Sequence, residues 1–253
     1  MLLLSLNFSG TKPEIVSQKS DTTFFMPEDL LPDFGTCTQV VDHNFYSLCY
    51  LEKYEQSAWV FYRLTKEMCE VNALKRNDKF LADPFVKTGS AENYDYKNSG
   101  YDRGHLCPAG DMNWSEKSMT ETFYMSNMSP QLHAFNAGIW EKLEAKARKW
   151  AVKNDEIYIV AGGILKEGLK TIGVKNKIAV PEYFYKIFLD NKEPGIKAIA
   201  FIMPNAASKK SIFSFAVSVD SVEKITGIDF FPGLSDSLQN SLESKCDTVI
   251  WKK

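Results

Sequence analysis

Tyr101 to Glu144 leaves little freedom in how this chain can fold. The stretch reads YDRGHLCPAGDMNWSEKSMTETFYMSNMSPQLHAFNAGIWEKLE. Tyr101–Leu106 reads as a short strand, which Cys107-Pro108-Ala109-Gly110 then breaks. Ser115–Thr122 reads as a helical turn, Phe123-Tyr124-Met125 as apolar packing, and Asn127-Met128-Ser129-Pro130-Gln131 as a polar loop. Asn136 then opens a helix. Ile139, Trp140, Leu143, Ala147, Trp150 and Ala151 recur at three- and four-residue steps and mark its buried face. Glu141, Lys142, Lys146, Arg148 and Lys149 take the wetter side.

The same stretch concentrates chemistry. Asp102, Arg103 and His105 fall within four residues, and Asn127, Gln131 and Asn136 follow. An imidazole can take a proton from water, a guanidinium can face a phosphate, and a carboxamide oxygen can hold a hard metal ion. Gly104 lets the backbone approach something closely beside His105. Two other histidines compete for the role of base. His133 lies in the loop before Asn136 and reads as a bystander; His43 sits in Asp42-His43-Asn44 and reads as a surface or turn residue. Asp102 reads as a residue that orients Arg103 or the turn.

These motifs resemble a known family. DRGH at 102–105, SNMSPQ at 126–131 and N-x-G-x-W-x-x-x-E at 136–144 look like the DNA/RNA non-specific endonucleases, which include secreted bacterial nucleases and mitochondrial endonuclease G. R-N-x-x-F-x-x-D-P at 76–84 extends the resemblance upstream, and IYIVAGGI at 157–164, VPEYFYKI at 180–187 and TGIDFFPGL at 226–234 extend it downstream. The resemblance implies an α+β fold, with a central antiparallel sheet, packed helices and a ββα-metal unit presenting His105 and Asn136. It implies a magnesium-dependent endonuclease on DNA and RNA, with manganese or another divalent ion as alternatives, leaving 5′-phosphate ends. His105, Arg76, Arg103 and Glu144 would be catalytic. Arg76, Arg103 and Asn127 would bind substrate, and Asn136 would hold the metal. Relatives dimerise, so a homodimer is compatible; an inhibitor or immunity partner is left open.

Glu144 needs a geometric qualification. On a continuous helix, positions eight apart differ by only ~80° around the axis but lie ~12 Å apart along it. The expectation is therefore an outer-shell role for Glu144, through a metal-bound water or by orienting an arginine such as Arg76.

Composition sets the remaining limits. The chain has 253 residues, 44% of them hydrophobic, which suits one large domain over residues 36–253. Residues 1–35 read as a leader or flexible segment. The start, MLLLSLNFSG, has a short apolar run with no basic residue before it. If it is a truncated signal, the protein is secreted or periplasmic. No apolar run is long enough for a membrane span. The net charge of −2 argues mildly against a nucleic-acid partner, so any cationic site must be local. Lys75, Arg76, Lys79, Lys97 and Arg103 are its candidates, with Asp78, Asp83, Asp95 and Asp102 interleaved. Five cysteines without a CxxC pair exclude the usual zinc spacing and leave disulfide pairing open. Three other readings compete: a catalytically idle relative, a phosphodiesterase for a small substrate, and a structural protein in which DRGH is a buried salt-bridge turn.

Along the rest of the chain, Val40, Val41, Phe45, Tyr46, Leu48 and Tyr50 fit a strand or hairpin, and Trp59–Leu64, Ile157–Val160, Ile178–Val180 with Tyr183–Leu189, Ile196–Met203 and Ile212–Val219 read as strands. Val222–Thr226 and Leu238–Ser244 read as short helices, with Gly227 stopping the first.

Overall fold

The structure is a computed structural model; it describes residues 14–17, 27–35, 37–71, 74–192 and 194–252. Most of the expected leader therefore lies outside the described residues. The strands are β1 (Glu14–Ser17), β2 (Gln39–Asp42), β3 (Tyr46–Leu51), β4 (Gln56–Thr65), β5 (Asp102–His105), β6 (Met128–Gln131), β7 (Glu156–Gly163), β8 (Thr171–Ile172), β9 (Ile178–Ala179), β10 (Tyr183–Asp190), β11 (Lys197–Pro204) and β12 (Ala216–Val217). The helices are α1 (Lys66–Glu70), α2 (Glu116–Thr122), α3 (Glu141–Asn154), α4 (Val219–Thr226), α5 (Asp236–Glu243) and α6 (Thr248–Lys252).

Among the described residues, eight strands form one sheet in the order β1-β2-β3-β4-β7-β10-β11-β12. Every pairing is antiparallel except β1 with β2, so the sheet is mixed rather than purely antiparallel. The α+β expectation holds. Side chains alternate across the sheet because successive Cβ atoms point to opposite faces. From β7, Ile157, Ile159 and Ala161 pack on one face with Trp140, Leu143 and Trp150, while Tyr158 and Val160 pack on the other with Val219, Val222 and Leu242. α3 thus covers one face, and α4 and α5 cover the other. Trp140 anchors the first face, with Phe135 and Phe184 at ring distances of 5.3 and 5.7 Å.

The same alternation places Lys186 on the α3 face. Its neighbours on that side of β10 are Phe184 and Phe188, and β7 and β11 flank the strand. Lys186 is fully buried there. Its ammonium lies 4.4 Å from the Trp140 ring centroid and 3.5 Å from Glu144 Oε1.

Several local expectations change. Residues 212–219 were expected as a strand. Ile212–Phe215 is instead a helical turn, leaving only the two residues of β12 before Ser218 caps α4. Ser211 accepts from the Phe213 amide and favours that turn over an extended run. Gly227 does end α4, at φ +71°. His43 is in a turn, yet it is buried, with Nε2 2.9 Å from Asp83 Oδ2. Cys37 and Cys49 form a disulfide, while Cys69, Cys107 and Cys246 are free. Closing so short a loop restricts the unfolded chain by ~3 kcal/mol in the entropy account.

Candidate active site

β5 and β6 lie outside the main sheet and pair with each other, His105 opposite Met128 and Asp102 opposite Gln131. Residues 128–131 are therefore a strand, not a polar loop: β5 supplies backbone partners that the sequence around Pro130 does not advertise. Gly104 is required by this pairing. A Cβ there would lie 2.1 Å from the Gln131 side chain. The close approach expected of Gly104 is to this neighbouring strand.

After β6 the chain makes a wide π-helical turn over Phe135–Trp140 before α3 begins. Gly138 has φ −119° and ψ −108°, which are not helical values, so the helix is interrupted between Asn136 and Glu144. The expected separation along a continuous helix does not apply. Asn136 and Glu144 instead line the same cavity of about 300 Å³, together with Arg76, Arg103, His105, Glu141 and Arg148. Arg148 was expected on the solvated side. It donates from Nη1 to Asp111 Oδ1 at 2.7 Å, and Asp111 also accepts from the Tyr62 hydroxyl at 3.0 Å. That buried acceptor draws Arg148 into the cavity wall.

His105 is mostly buried, against the rings of Phe123 and Phe80 at 4.9 and 6.0 Å. Its Nε2 is buried and has no hydrogen-bond partner. Burial first, and then the Arg76 cation, lower its pKa from 6.5 to about 3; a hydrogen bond to the Arg103 backbone opposes them. At neutral pH the imidazole is uncharged, the form able to accept a proton. A stability test follows with a definite sign. An unfolded histidine takes up a proton near pH 6.5, whereas this one resists until about 3. The contribution is intact above pH 6.5 and is lost as pH falls towards 3, by at most about 1.4 kcal/mol per pH unit. Melting of the metal-free protein across that window should fall more steeply for wild type than for His105→Asn. Equal slopes would contradict a buried neutral ring.

Asn136 donates from Nδ2 to Asp102 Oδ2 at 2.9 Å, and His133 Nδ1 lies 2.9 Å from the same oxygen. Asp102 therefore orients the Asn136 amide rather than Arg103. With Nδ2 committed, the amide oxygen is left as an acceptor on a residue that lines the cavity. His133 is exposed and does not line the cavity.

The two arginines sit on aromatic rings. The Arg103 guanidinium is 4.9 Å from the Phe80 centroid, and the Arg76 guanidinium is 5.2 Å from that of Phe123. Flat rings hold a guanidinium in place without consuming its donors. Arg76 also donates from Nε to Asp78 at 2.6 Å, and Arg103 Nε is buried without a partner. Lys75, Lys79 and Lys97 are not in the cavity wall, so its cationic character comes from arginines.

Burial raises the Glu144 pKa to about 7, despite the opposing pull of Lys186. Its side-chain partner is thus Lys186; of the two expected routes, a metal-bound water or an arginine such as Arg76, the arginine contact is not the one formed. Lys186 was not singled out in the sequence. The available signal was a lone lysine at a core-facing position between Phe184 and Phe188.

Asn127 does not fit its expected place in substrate binding. It is fully buried and absent from the cavity wall. Oδ1 accepts from the Cys107 amide at 2.9 Å, and Nδ2 donates to the Cys107 and Thr122 carbonyls at 2.9 and 2.8 Å. Its amide is consumed in closing the loop after His105.

Residues 32–237 match the sequence profile of the family described as DNA/RNA non-specific endonuclease. The chain belongs to this family. Among relatives of this endonuclease-family chain is a mitochondrial nuclease EXOG of Danio rerio. It is 36% identical over 79% of this chain, which spans 64% of that relative's length. Nuclease C1 of Cunninghamella echinulata var. echinulata is 32% identical over 83% of this chain and 89% of its own. A crystal structure described as an EndoG/EndoGI complex superposes with a TM-score of 0.72 at 33% identity, covering 78% of this chain and 86% of that one. The last describes inhibition of EndoG. The family resemblance first carried by DRGH and its neighbours therefore holds in sequence and in fold.

Proposed function

We propose that the protein is a magnesium-dependent endonuclease that hydrolyses phosphodiester bonds of DNA and RNA with little sequence preference. The observation that carries this reading is the cavity itself. It brings a neutral imidazole with an unpartnered Nε2, two ring-supported guanidiniums and a free carboxamide oxygen to one wall. His105 Nε2 takes a proton from water as the oxygen attacks phosphorus in line with the leaving 3′ oxygen. Arg76 and Arg103 bind the phosphate and offset its growing negative charge. Cleavage on that side leaves a 5′-phosphate and a 3′-hydroxyl. These groups meet only backbone chemistry, which accounts for weak discrimination of base and sugar.

The donor set fits a hard divalent ion. Asn136 offers a neutral oxygen held in place by Asp102, and Glu144 and Glu141 line the same cavity. Magnesium keeps several waters, so few protein ligands suffice. When bound, it supplies Lewis-acid neutralisation of the phosphate and the leaving oxygen. Plasmid nicking in magnesium, abolished by chelator and restored by added magnesium, tests the reading. Purified protein that nicks no nucleic acid under any divalent ion would end it.

Two variants probe separate parts. Asn136→Ala should lower activity by ~10-fold or more, with partial recovery at high magnesium, because a neutral ligand is lost and its aspartate partner remains. Titration of rate against magnesium checks this, and an unchanged magnesium midpoint would assign Asn136 to packing of the turn. Arg76→Ala should impair cleavage of single-stranded DNA, duplex DNA and RNA alike, because all three present phosphate. Cleavage patterns that shift in sequence at unchanged total rate would instead mark Arg76 as a base reader.

A further inference from the structure

Three carboxylates converge on the sheet face opposite α3, well apart from the residues that line the catalytic cavity. Asp220 and Glu223 lie three apart on α4 and so share one side of it. Glu243 ends α5. Carboxylate oxygens of the three lie within 4.8 Å of one another. Glu223 is fixed in place, since its Oε1 accepts from the Phe230 amide at 2.8 Å. Glu243 is only 6% exposed, yet its Oε1 is buried without a hydrogen-bond partner.

Those two facts are hard to reconcile with a closed core. A buried carboxylate ordinarily carries a cationic partner or a set of donors. Among the described residues no lysine or arginine pairs with Asp220, Glu223 or Glu243. The charged groups acting on Glu243 are Glu223, Asp229 and Asp220, all of one sign. Repulsion would push α5 away from α4. The helices nonetheless pack on the same apolar layer through Val219, Val222 and Leu242. A small, doubly charged ion accepting several oxygens would satisfy the orphaned atom and reverse the repulsion together. Three carboxylates with room for carbonyl or water oxygens suit calcium, which tolerates irregular coordination, better than magnesium, which demands a near-ideal octahedron.

We propose that Asp220, Glu223 and Glu243 form a divalent-cation site of the calcium class that fastens α5 to α4. It is distinct from the ion at Asn136 and has a structural role. The inference rests on the fold and not on the nuclease reading.

Thermal melting of the full chain tests it, after exhaustive chelation and titration with calcium chloride at constant ionic strength. Wild type should show a saturable rise of ~5–10 °C at a hundredfold excess over the dissociation constant. Glu243→Gln keeps the side-chain shape and removes the charge. It should melt no lower than chelated wild type, lose the calcium-dependent rise, and nick plasmid at the wild-type rate in magnesium. Asn136→Ala should retain the rise, which separates this site from the catalytic one. Asp220→Asn, further out on the surface, should weaken calcium at least ~10-fold and guards against misfolding of the Glu243 variant. No calcium-dependent rise in wild type, or an equal rise in Glu243→Gln, overturns the proposal. Glu243 would then be held as a neutral acid by its own proton.

Discussion

Replacing His105 with alanine is expected to lower cleavage of every nucleic-acid substrate by ~10²–10⁴-fold, the usual loss on removing one general base. Folding should be spared. Among the described residues His105 Nε2 makes no hydrogen bond, so the hydrogen bond lost with the ring is the one to the Arg103 backbone. The shallower acid melting of the His105 variants would show that the ring was buried and neutral. His133→Ala is the matched control. That ring is exposed and touches Asp102, so its loss should leave most activity. A dead His133→Ala enzyme beside an active His105→Ala enzyme would reverse the assignment.

Lys186→Met is expected to have the largest effect on stability. The lysine sits in the middle of β10, sealed between Trp140 and the flanking strands, and faces Glu144 at 3.5 Å. Removing one member of a buried pair leaves the other charge without compensation. The loss should be about 3 kcal/mol, towards the lower end for such deletions, because Glu144 can escape by taking a proton. Its pKa already stands at about 7 with the lysine present. Without the lysine it rises further, so the variant should also be less active at neutral pH and recover as pH is raised. Glu144→Gln should cut the rate as well, though less than His105→Ala. The double variant Lys186→Met with Glu144→Gln should regain stability and not activity. A Lys186→Met protein as stable and as active as wild type would show that the pair serves neither purpose.

Much of this site is legible in the sequence because it depends on local order. DRGH, the short strand that carries it and the apolar steps of α3 are all short-range patterns, and His105, Arg103 and Asn136 line one cavity. Features set by distant partners are not legible in this way. Residues 128–131 look like a loop until β5 lies beside them. Asn127 looks like a substrate ligand until its amide is seen closing on Cys107 and Thr122. Arg148 looks solvated until Asp111, far back in the chain, binds it. The continuous helix assumed between Asn136 and Glu144 fails on a backbone detail. Gly138 breaks the helix that the apolar periodicity presents as unbroken, since periodicity reports which side chains are buried and not the dihedrals that join them.

The main sheet ends at β12, a strand of only two residues. A long free edge offers a ladder of amides and carbonyls to any extended chain, including a partly unfolded copy of the same protein. Here the ladder stops almost as it starts, with a helical turn on one side and α4 on the other. A strand docking on β12 itself would gain few backbone hydrogen bonds. The border of the eight-stranded sheet is thus divided between the two residues of β12 and the stretches of β11 on either side of Ala200 and Phe201, which β12 does not pair.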